Sequence, residues 1–492
     1  QKVVGRKITG ADGRIIIPAH DVAEGVDRMV MTFSAGPELR VVVAGLLNEV
    51  SVESAHHLAA STYARVVEAI GLNDRRRPEV QMDAILRAEP DIILVAGGTD
   101  GGASRSVGKL LDLVGMACRV LPQDKRPEVI YAGNQALAKR VKDHFEKLTS
   151  LQVAPNIRPS IDSEDISPAQ VVLQNSAMRL RRQRIIGLEP LSVLCAVPPS
   201  PSVQAFGRMV RFLSKVYDPV KGVFGIDLGA SATLVAAAVA GQLNTAVYPL
   251  GMGAGLTQVL QQIRMEDVIK WLPVHIPETD VRDYLWNKSL YPNSLPLTAE
   301  TLAIEQAAAR QVLRLVMQQF LAHHPDQYMF YEPILASGTV VAQAPTPGQS
   351  LLMLLDGLQP VGITILMLDQ NGLTAPLGAA STFNSVLPVQ VLESGAFLNL
   401  GTVICPVSEA RYGTPILQVR LEYDQGNESR LEVRQGSLVQ LPLKIGQVAR
   451  IHLNGLRGTE IDPRGKRGKV SFKIVGGACG AVIDARGRPL NL

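Results

Sequence analysis

The sequence is poor in aromatic residues and in cysteine. Phe, Trp and Tyr together make up 4% of its 492 residues, so aliphatic side chains and alanine must build the interior. The four cysteines lie far apart, with no CxxC pair and no histidine at ligand spacing: Cys118, Cys195, Cys405 and Cys479. This spacing argues against a zinc site and against a disulfide framework. It predicts a reduced, cytoplasmic protein.

The sequence also lacks a strong excess of either charge. Its formal net charge is +4, and charged residues make up 19% of the chain. The arginine clusters at residues 75–77 and 179–184 have no interleaved aromatic residues on which bases could stack. The sequence therefore predicts no nucleic-acid partner.

One long apolar stretch, residues 222–243 (GVFGIDLGASATLVAAAVAGQL), has the length of a membrane span but not its content. A span needs about 20 apolar residues, and Asp227 would be costly in lipid. Two β-type runs, VFGIDLG and TLVAAAVA, flank the small-residue turn ASA. This pattern predicts a β-hairpin and no membrane span.

The length of the chain predicts two or three domains. Residues 39–150 alternate apolar strands with helices, which predicts a mostly parallel sheet covered by helices. One of these helices is predicted to run from Ser51 to about residue 72. Residues 151–200 are rich in Pro, Ser and Asn and look like a linker.

A second α/β segment and a β-rich segment follow. The predicted domains are a first α/β lobe with its linker at 1–200, a second α/β lobe at 201–385, and a C-terminal β domain at 386–492. The last domain alternates β-branched and polar residues between Gly and Pro, which favours an antiparallel sheet or barrel. Near its end, Arg486 and Arg488 are interpreted as a solvated turn, with an acidic partner as the alternative.

Three motifs carry candidate chemistry. The first, AGGTDGG at 96–102, follows a strand and precedes a helix, so its backbone amides and the helix N-terminus can approach an anion. A purely structural strand-to-helix turn is the alternative. The residues are Gly97, Gly98, Thr99, Asp100, Gly101 and Gly102.

The second motif is the predicted hairpin, GIDLGASAT. An aspartate at the end of its first strand, Asp227, can reach Mg²⁺ through water, and small residues at the turn leave amides open to a phosphate. The third motif is ILASGTVV, where Ser337 and Gly338 form a strand-to-loop turn on which an adenine or ribose can lie. Any strand that leaves a sheet needs such a turn, so this motif is the least specific.

In this order, the three motifs resemble those of the superfamily of actin, sugar kinases and heat-shock-chaperone ATPases. More narrowly, PDIILVAGGTDGG, YAGN at 131–134 and DLGASAT are similar to the glutamate mutase L family, also called methylaspartate mutase accessory protein. The resemblance covers roughly residues 35–385. It implies two actin-like (ribonuclease H-like) lobes and an ATP-binding protein related to factors that reactivate coenzyme-B12-dependent mutases.

Carried over onto this chain, the resemblance assigns roles to specific residues. Asp227 would be the catalytic and magnesium-side carboxylate, and Gly229 and Thr233 would form the phosphate hairpin with it. Ser337 and Gly338 would line the adenosine side, and the glycines of AGGTDGG would lie at the cleft. ATP and Mg²⁺ are the implied cofactors, and a subunit of a coenzyme-B12-dependent mutase is the implied partner.

The chain departs from the family in two places. The superfamily opens with another DxG hairpin, which nothing before residue 39 offers, so the first lobe is expected to lack it. Either an upstream segment precedes Gln1, or nucleotide binds poorly or not at all. In the second hairpin, alanines replace a glycine and a threonine at 230 and 232, and Leu234 replaces an acid. The motif thus favours binding over hydrolysis.

Two other functions remain open. A filament-forming scaffold that kept the actin-like fold and lost its chemistry is one alternative, and it would make the protein a homo-oligomer. A small-molecule kinase is the other. It needs a carboxylate base, for which Asp100 is the candidate, although an aspartate flanked by glycines is as often a turn former.

Overall fold

The computed structural model describes residues 5–34, 36–218, 220–323, 330–424, 426–462 and 468–490. The chain divides into two compact units. Unit 1 comprises Gln1–Ala205, Asn244–Val247 and Ala375–Ser385. Unit 2 comprises Phe206–Leu243, Tyr248–Thr374 and Val386–Leu492.

Strands and helices are numbered in chain order. The strands are β1 (Thr32–Phe33), β2 (Leu39–Gly45), β3 (Ala64–Gly71), β4 (Ile92–Val95), β5 (Glu128–Tyr131), β6 (Leu151–Val153), β7 (Ser200–Pro201), β8 (Val223–Leu228), β9 (Thr233–Val239), β10 (Gln242–Tyr248), β11 (Ile334–Ser337), β12 (Gly362–Leu368), β13 (Leu398–Cys405), β14 (Pro415–Tyr423), β15 (Glu428–Arg434), β16 (Leu438–Leu441), β17 (Val448–Gly455), β18 (Lys469–Val475) and β19 (Ala481–Asp484).

The α-helices are α1 (Glu53–Ala60), α2 (Pro78–Ala88), α3 (Ser104–Val120), α4 (Ala138–Phe145), α5 (Ser167–Arg184), α6 (Leu188–Val193), α7 (Ser202–Val216), α8 (Leu256–Leu260), α9 (Glu266–Ile269), α10 (Glu278–Leu290), α11 (Ala299–His323), α12 (Thr339–Ala342), α13 (Pro347–Leu358), α14 (Thr374–Ala380) and α15 (Leu387–Glu393). Short helical turns of other types lie at Asn48–Val52, Gln123–Lys125 and Gln135–Leu137. Within the part of the chain that the structure describes, every helix is too short or too polar to cross a bilayer.

Unit 1 is built on a parallel five-stranded sheet with the order β3-β2-β4-β5-β6. Alternate residues of β2 face opposite helical layers: Val42 and Ala44 pack with α2, α3 and α4, while Val41 and Val43 pack with α1 and α5. Because both faces of the sheet are covered, its strands are almost continuously apolar. The predicted alternation of strands and helices is confirmed.

One predicted helix of unit 1 is wrong in its extent. The helix that begins near Ser51 ends at Ala60, and Ala64–Gly71 forms strand β3, which pairs in parallel with β2. The segment ARVVEAIG contains Val66, Val67 and Ile70, and β-branched residues fit a pleated, half-buried surface. The backbone N–H and C=O groups of this segment form hydrogen bonds with the neighbouring strand β2, which lies more than twenty residues earlier in the sequence.

The topology of unit 1 bears on the predicted first lobe, which is expected to lack the antiparallel hairpin that opens a ribonuclease H-like sheet. The described strands of this five-stranded sheet are all parallel. The physical reason is that a helix follows each strand, and such a crossover returns the chain in the same direction. Unit 1 is therefore a parallel βα sheet.

Unit 2 contains an eight-stranded sheet with the order β10-β9-β8-β11-β12-β13-β19-β16. Strands β8 and β9 are antiparallel and form the predicted hairpin, with Asp227 opposite Leu234. Strand β11 is parallel to β8, and β12 is parallel to β11. The hairpin prediction is confirmed, and the apolar character of residues 222–243 is explained by two buried strands.

The region beyond residue 386 is β-rich, as predicted. Strands β14, β15, β17 and β18 form an antiparallel four-stranded sheet. Strands β13, β16 and β19 instead extend the eight-stranded sheet of unit 2. The two sheets share an apolar core that includes Ile404, Leu417, Ile451 and Ile483. The large sheet thus continues across the predicted domain boundary at residue 386.

Candidate functional site

The carboxyl ends of three neighbouring strands in unit 2 bring together Asp227, Ser337 and Asp369. Ser337, the last residue of β11, pairs in register with Asp227 of β8. Asp369 follows β12 directly, and its amide donates to the carbonyl of Ala336 at 2.8 Å. Because the three strands are parallel, their carboxyl ends meet at one edge of the sheet, where open α/β sheets bind ligands.

The carboxylate of Asp227 is held in an environment that disfavours its charge. Burial raises the pKa of Asp227 to about 6, a hydrogen bond from the Ser337 hydroxyl opposes the rise, and the negative charge of Asp369 adds to it. Near neutral pH the carboxylate is mostly ionised but poorly solvated. A cation beside it would restore the favourable interaction that water no longer supplies.

Asp369 was missed by the sequence reasoning, although an aspartate that ends the apolar strand GITILMLD is a signal of the same kind as Asp227. Its side chain is 1% exposed. The carboxylate accepts hydrogen bonds from the Leu373 amide at 2.9 Å, the Thr374 amide at 2.7 Å and the Thr374 hydroxyl at 2.6 Å. These donors satisfy its charge, so Asp369 acts as a fixed negative neighbour of Asp227 rather than as an open ligand.

The hairpin turn at residues 229–232 rests on a glycine-rich loop at residues 251–255, GMGAG, which the sequence reasoning also missed. Loop amides donate to turn carbonyls as follows: Met252 to Gly229 at 2.9 Å, Gly253 to Ala230 at 2.8 Å, and Gly255 to Ala230 at 3.0 Å. A Cβ atom added at Gly253 would lie 3.0 Å from that of Ala230. Glycine is needed there because the two backbones approach so closely.

The turn itself leaves donors unused. In the described part of the chain, the amides of Ala230, Ser231 and Ala232 have no hydrogen-bond acceptor, and Ala230 and Ser231 are exposed. Successive unpaired backbone N–H groups form a concave anion site. The turn can therefore receive a phosphate or carboxylate oxygen beside Asp227.

The other predicted residues of this site have structural contacts. Thr233 is fully buried, and its hydroxyl donates to the carbonyl of Leu250 at 2.7 Å. Gly229 begins the turn and donates its amide to the carbonyl of Ala232. Gly338 has a φ of 109°, and a Cβ atom there would lie 2.3 Å from the carbonyl oxygen of Leu228. Gly338 thus lets the end of β11 lie directly against β8.

The loop Gly97–Gly102 of unit 1 joins β4 to α3, as predicted. Asn134, from the YAGN motif, is fully buried against this loop. Its side-chain amide donates to the carbonyl of Gly102 at 2.8 Å and accepts from the amide of Gly101 at 3.3 Å. The two motifs of the resemblance are thus neighbours in space, and one shapes the other.

Asp100 is also used to hold this loop. One oxygen of its carboxylate accepts from the Gln135 amide at 3.1 Å and from the Asn156 side chain at 2.9 Å. Asn156 donates in addition to the carbonyl of Gly98 at 3.0 Å. Contacts of this kind are typical of an aspartate that holds a turn. They favour the turn-forming role of Asp100 over the alternative role of a catalytic base.

The position of the loop in the unit 1 sheet makes it a candidate for ligand binding. The strand order of unit 1 reverses between β2 and β4, and ligands of such sheets bind at this switch point. A Cβ atom at Gly97 would lie 2.8 Å from the Leu46 side chain, so the loops after β2 and β4 are in contact. In the described residues, the amides of Gly98 and Thr99 have no acceptor.

The acidic residues of unit 2 fit Mg²⁺ only in one way. The described residues contain no group of three or more His, Cys, Asp or Glu side chains that could hold a metal ion. Mg²⁺ keeps several waters and is often bound by one or two carboxylates together with substrate phosphates. Asp227 therefore fits a magnesium ion that arrives with a phosphate ligand.

Replacing Asp227 by asparagine is expected to stabilise unit 2 by about 1–2 kcal/mol at pH 7.5. Each unit of pKa shift corresponds to roughly 1.4 kcal/mol, and the partial exposure of the side chain reduces the effect. Since the folded-state pKa is raised, the ionised carboxylate lowers stability above about pH 6, and this cost fades as the pH falls toward 4. Urea unfolding followed by fluorescence of Trp271 and Trp286, both in unit 2, measures the difference. The stability that Asp227→Asn gains over the wild type should shrink to a few tenths of a kcal/mol near pH 4.

Asp283→Asn is the matched control for this experiment, since Asp283 lies on the exposed side of α10. Its unfolding free energy should stay within about 0.5 kcal/mol of the wild type at both pH values. An Asp227→Asn protein that is less stable than the wild type at pH 7.5 would contradict the assigned environment.

Comparison with protein families matches residues 11–395 to the family described as MutL protein. A curated relative, Protein MutL of Clostridium tetanomorphum, is 22% identical over 203 residues, which cover 41% of this chain and 42% of the relative. The aligned part of the chain thus spans less than half the length of that relative.

The solved structures that share some similarity with the chain include the following three. Nucleotide-free acetone carboxylase is 9% identical, with a TM-score of 0.26 over 81% of this chain and 70% of that one. Component A of the (R)-2-hydroxyglutaryl-CoA dehydratase of Acidaminococcus fermentans is 10% identical. Its TM-score is 0.21, and the match covers 57% of this chain and 82% of that one. The apo ParM protein of pSK41 is 10% identical. Its TM-score is 0.22, and the match covers 58% of this chain and 72% of that one. TM-scores this low do not establish a shared fold.

Proposed function

Because the chain belongs to the MutL protein family, as its resemblance to the glutamate mutase L family predicted, we propose that it is an ATP-binding accessory protein of a coenzyme-B12-dependent mutase. The edge of the unit 2 sheet carries this proposal. There a poorly solvated carboxylate lies beside a turn with three unpaired amides. A negative group and unpaired donors at one edge suit a ligand that combines a cation with an anion, such as Mg-ATP.

Unit 2 also supports the actin-like part of the proposal. Its strands β10-β9-β8-β11-β12 stand in the order 3-2-1-4-5, with an antiparallel hairpin followed by parallel strands. This is the arrangement expected of a ribonuclease H-like lobe, and its hairpin is the one that carries DLGASAT. We therefore assign the proposed nucleotide site to unit 2.

Each residue at this edge has a proposed task. Asp227 would hold Mg²⁺ through water, and the amides of Ala230, Ser231 and Ala232 would bind phosphate oxygens. Ser337 keeps the Asp227 carboxylate in place and, with Gly338, would border the adenosine. The Mg²⁺ ion would supply charge neutralisation for the phosphates. Thr233 would act indirectly, by anchoring the hairpin through Leu250.

The loop Gly97–Gly102 enters the proposal as a second ligand loop. Its placement at the switch point of the unit 1 sheet and the unpaired amides of Gly98 and Thr99 support this role. Asp100 would position the loop rather than act as a base, because one of its oxygens already accepts two hydrogen bonds.

Calorimetric titration with Mg-ATP tests the function directly. Asp227→Asn is expected to weaken binding by about 30- to 150-fold, since a lost charge-assisted contact is worth about 2–3 kcal/mol. Asp283→Asn, with the same change of charge on an exposed helix face, should bind like the wild type. Because Asp227→Asn is expected to be more stable than the wild type, unfolding cannot explain a loss of affinity.

Other results would reject parts of the proposal. If Asp227→Asn binds Mg-ATP with the affinity of the wild type, the nucleotide site does not lie at this edge of the sheet. A wild-type protein that binds no ATP yet assembles into filaments without nucleotide, as seen by electron microscopy, would favour the scaffold alternative. Failure of purified mutase subunits to bind the protein, with ATP binding intact, would reject the partner and leave the nucleotide site standing.

A further inference from the structure

The end of α10 and the segment after it concentrate exposed apolar side chains. Trp286, Leu290, Tyr291, Leu295 and Leu297 are between 42% and 90% exposed. Scattered exposed apolar residues are normal on a folded protein, but several large ones within twelve residues indicate a binding surface. These five residues are called the apolar patch.

Hydrogen bonds and an ion pair hold the segment up to Ser294, which carries Trp286, Leu290 and Tyr291 of the apolar patch. The amide of Ser294 donates to the carbonyl of Tyr291 at 3.0 Å, and the ammonium of Lys288 donates to the carbonyl of Ser294. Lys288 is buried and pairs with Glu305 of α11 at 2.8 Å. Tyr284 donates its hydroxyl to the same carboxylate at 2.8 Å. A surface fixed in this way loses little conformational freedom when a partner binds.

The charges beside the patch are mainly acidic. Asp283 lies three residues before Trp286 on the exposed side of α10, and Asp280 lies one further turn away. The exposed cation between them, Arg282, is already paired with Glu278. The patch is thus an apolar surface with an acidic border along α10.

We propose that the apolar patch is the docking site for a different protein, whose contacting surface has an apolar centre bordered by lysine or arginine. The acidic border decides against a second copy of this chain. In a two-fold dimer the same patch meets itself, so Asp280 and Asp283 would approach the acidic border of the other copy. Like charges across an interface oppose binding, whereas a basic border on the partner complements them.

The segment that carries the patch is also in contact, through Pro292, with the glycine-rich loop of the hairpin turn. Pro292 lies between Tyr291 and Leu295, and a Cβ atom at Gly253 would lie 2.8 Å from that of Pro292. The amide of Gly253 in turn donates to the carbonyl of Ala230. A partner on the patch therefore lies one loop away from the turn. The inference goes beyond the proposed function and does not require that ATP binds.

Photo-cross-linking in the native cells tests the docking site. The photoreactive residue p-benzoylphenylalanine replaces Tyr291 in the full-length chain, and in a control it replaces Tyr412, which is 86% exposed in another part of unit 2. We expect a cross-link to one foreign protein from position 291 and none to that protein from position 412. The cross-linked peptide should contain apolar residues flanked by Lys or Arg.

An affinity measurement with the purified cross-linked protein completes the test. The double substitution Leu295→Ser and Leu297→Ser is expected to weaken binding by about tenfold or more, as for central interface residues. Ile445→Ser, which removes an apolar side chain that is 77% exposed elsewhere in unit 2, should leave affinity unchanged. All three side chains are largely exposed, so the folded state should be retained, which thermal unfolding checks.

Three results would overturn the proposal. These are the absence of any cross-link from position 291, a cross-link from this position to a second copy of the chain, and unchanged affinity of the double variant for the cross-linked protein. The proposed function would survive each of them, because ATP binding is measured independently by titration.

Discussion

Gly338→Ala is expected to lower the free energy of unfolding of unit 2 by about 3 kcal/mol or more. Two costs add up at this position. A φ of 109° is a conformation that L-residues rarely adopt, at a cost of about 1–3 kcal/mol. The new Cβ atom would also lie 2.3 Å from the carbonyl oxygen of Leu228, so β11 would have to move away from β8 at a further cost of about 1–3 kcal/mol.

Urea unfolding with tryptophan fluorescence measures this loss in unit 2, and Gly348→Ala is the control. Gly348 lies in the first turn of α13, where a Cβ atom would have its nearest contact at 3.9 Å and φ is not positive. Alanine should therefore be neutral or stabilising there by up to about 1 kcal/mol. Equal stability of the two variants would show that β11 does not lie against β8 as described.

Asp484→Asn is expected to cost about 3 kcal/mol, because it breaks a buried ionic network. Asp484 is 1% exposed, and its carboxylate accepts from Arg486 at 2.8 and 2.9 Å and from Arg488 at 2.8 Å. Arg486 also pairs with Asp356, which pairs with Arg310 at 2.7 Å. Removing one partner of a buried pair leaves an uncompensated charge, which is strongly destabilising.

The effect of Asp484→Asn should depend on pH. Burial alone would raise the pKa of Asp484, but the hydrogen bonds and charges of Arg486 and Arg488 outweigh it and hold the pKa below its usual value. A lowered folded-state pKa contributes stability that is present above about pH 4 and is lost as the pH falls through the folded-state pKa. The difference between variant and wild type should therefore narrow in acid.

Glu432→Gln is the control for the ionic network. Glu432 pairs with Arg434 at 3.3 Å on the surface of the C-terminal sheet, where both side chains are exposed. Surface pairs of this kind contribute about 0–1 kcal/mol. If Asp484→Asn costs no more than Glu432→Gln in urea unfolding at pH 7.5, the network does not stabilise the fold.

The same network shows a limit of sequence reasoning. The segment DARGRPL has the composition of a solvated turn, and Arg486 and Arg488 were interpreted in that way. In the structure they face inward, where Asp484 and Asp356 neutralise them. Asp356 lies more than a hundred residues earlier in the chain, so nothing local in the sequence could reveal the pairing.

Local patterns succeeded where the decisive interactions are close in sequence. The hairpin of β8 and β9 needs only two apolar runs and a small-residue turn, and the structure has it at the predicted place. Strand β3 shows the opposite case. Its residues follow a helix without a strong break, and only pairing with β2 makes them extended. A parallel partner is remote by necessity, because a crossover separates parallel strands.

The candidate site divides in the same way. Asp227, Ser337 and Gly338 could be selected from the sequence because each stands at the end of an apolar strand, where a polar or small residue is conspicuous. Asp369 and the loop at 251–255 could not be joined to them, since strand order and register are long-range properties. Burial is the main cause of the raised pKa of Asp227, and the two side chains that modify it, Ser337 and Asp369, are both more than a hundred residues away.

The sequence by itself determined the family, the alternation of strands and helices, the hairpin and the aspartate at its first strand end. These follow from periodicity and from motifs a few residues long. Only the tertiary structure decided the strand order of the unit 1 sheet, the pairing of Arg486 and Arg488 with Asp484, and the exposure of five apolar side chains in the 286–297 segment. Burial and strand pairing are set by contacts between segments that are distant in sequence. No local pattern encodes which distant segment a given strand or side chain will contact.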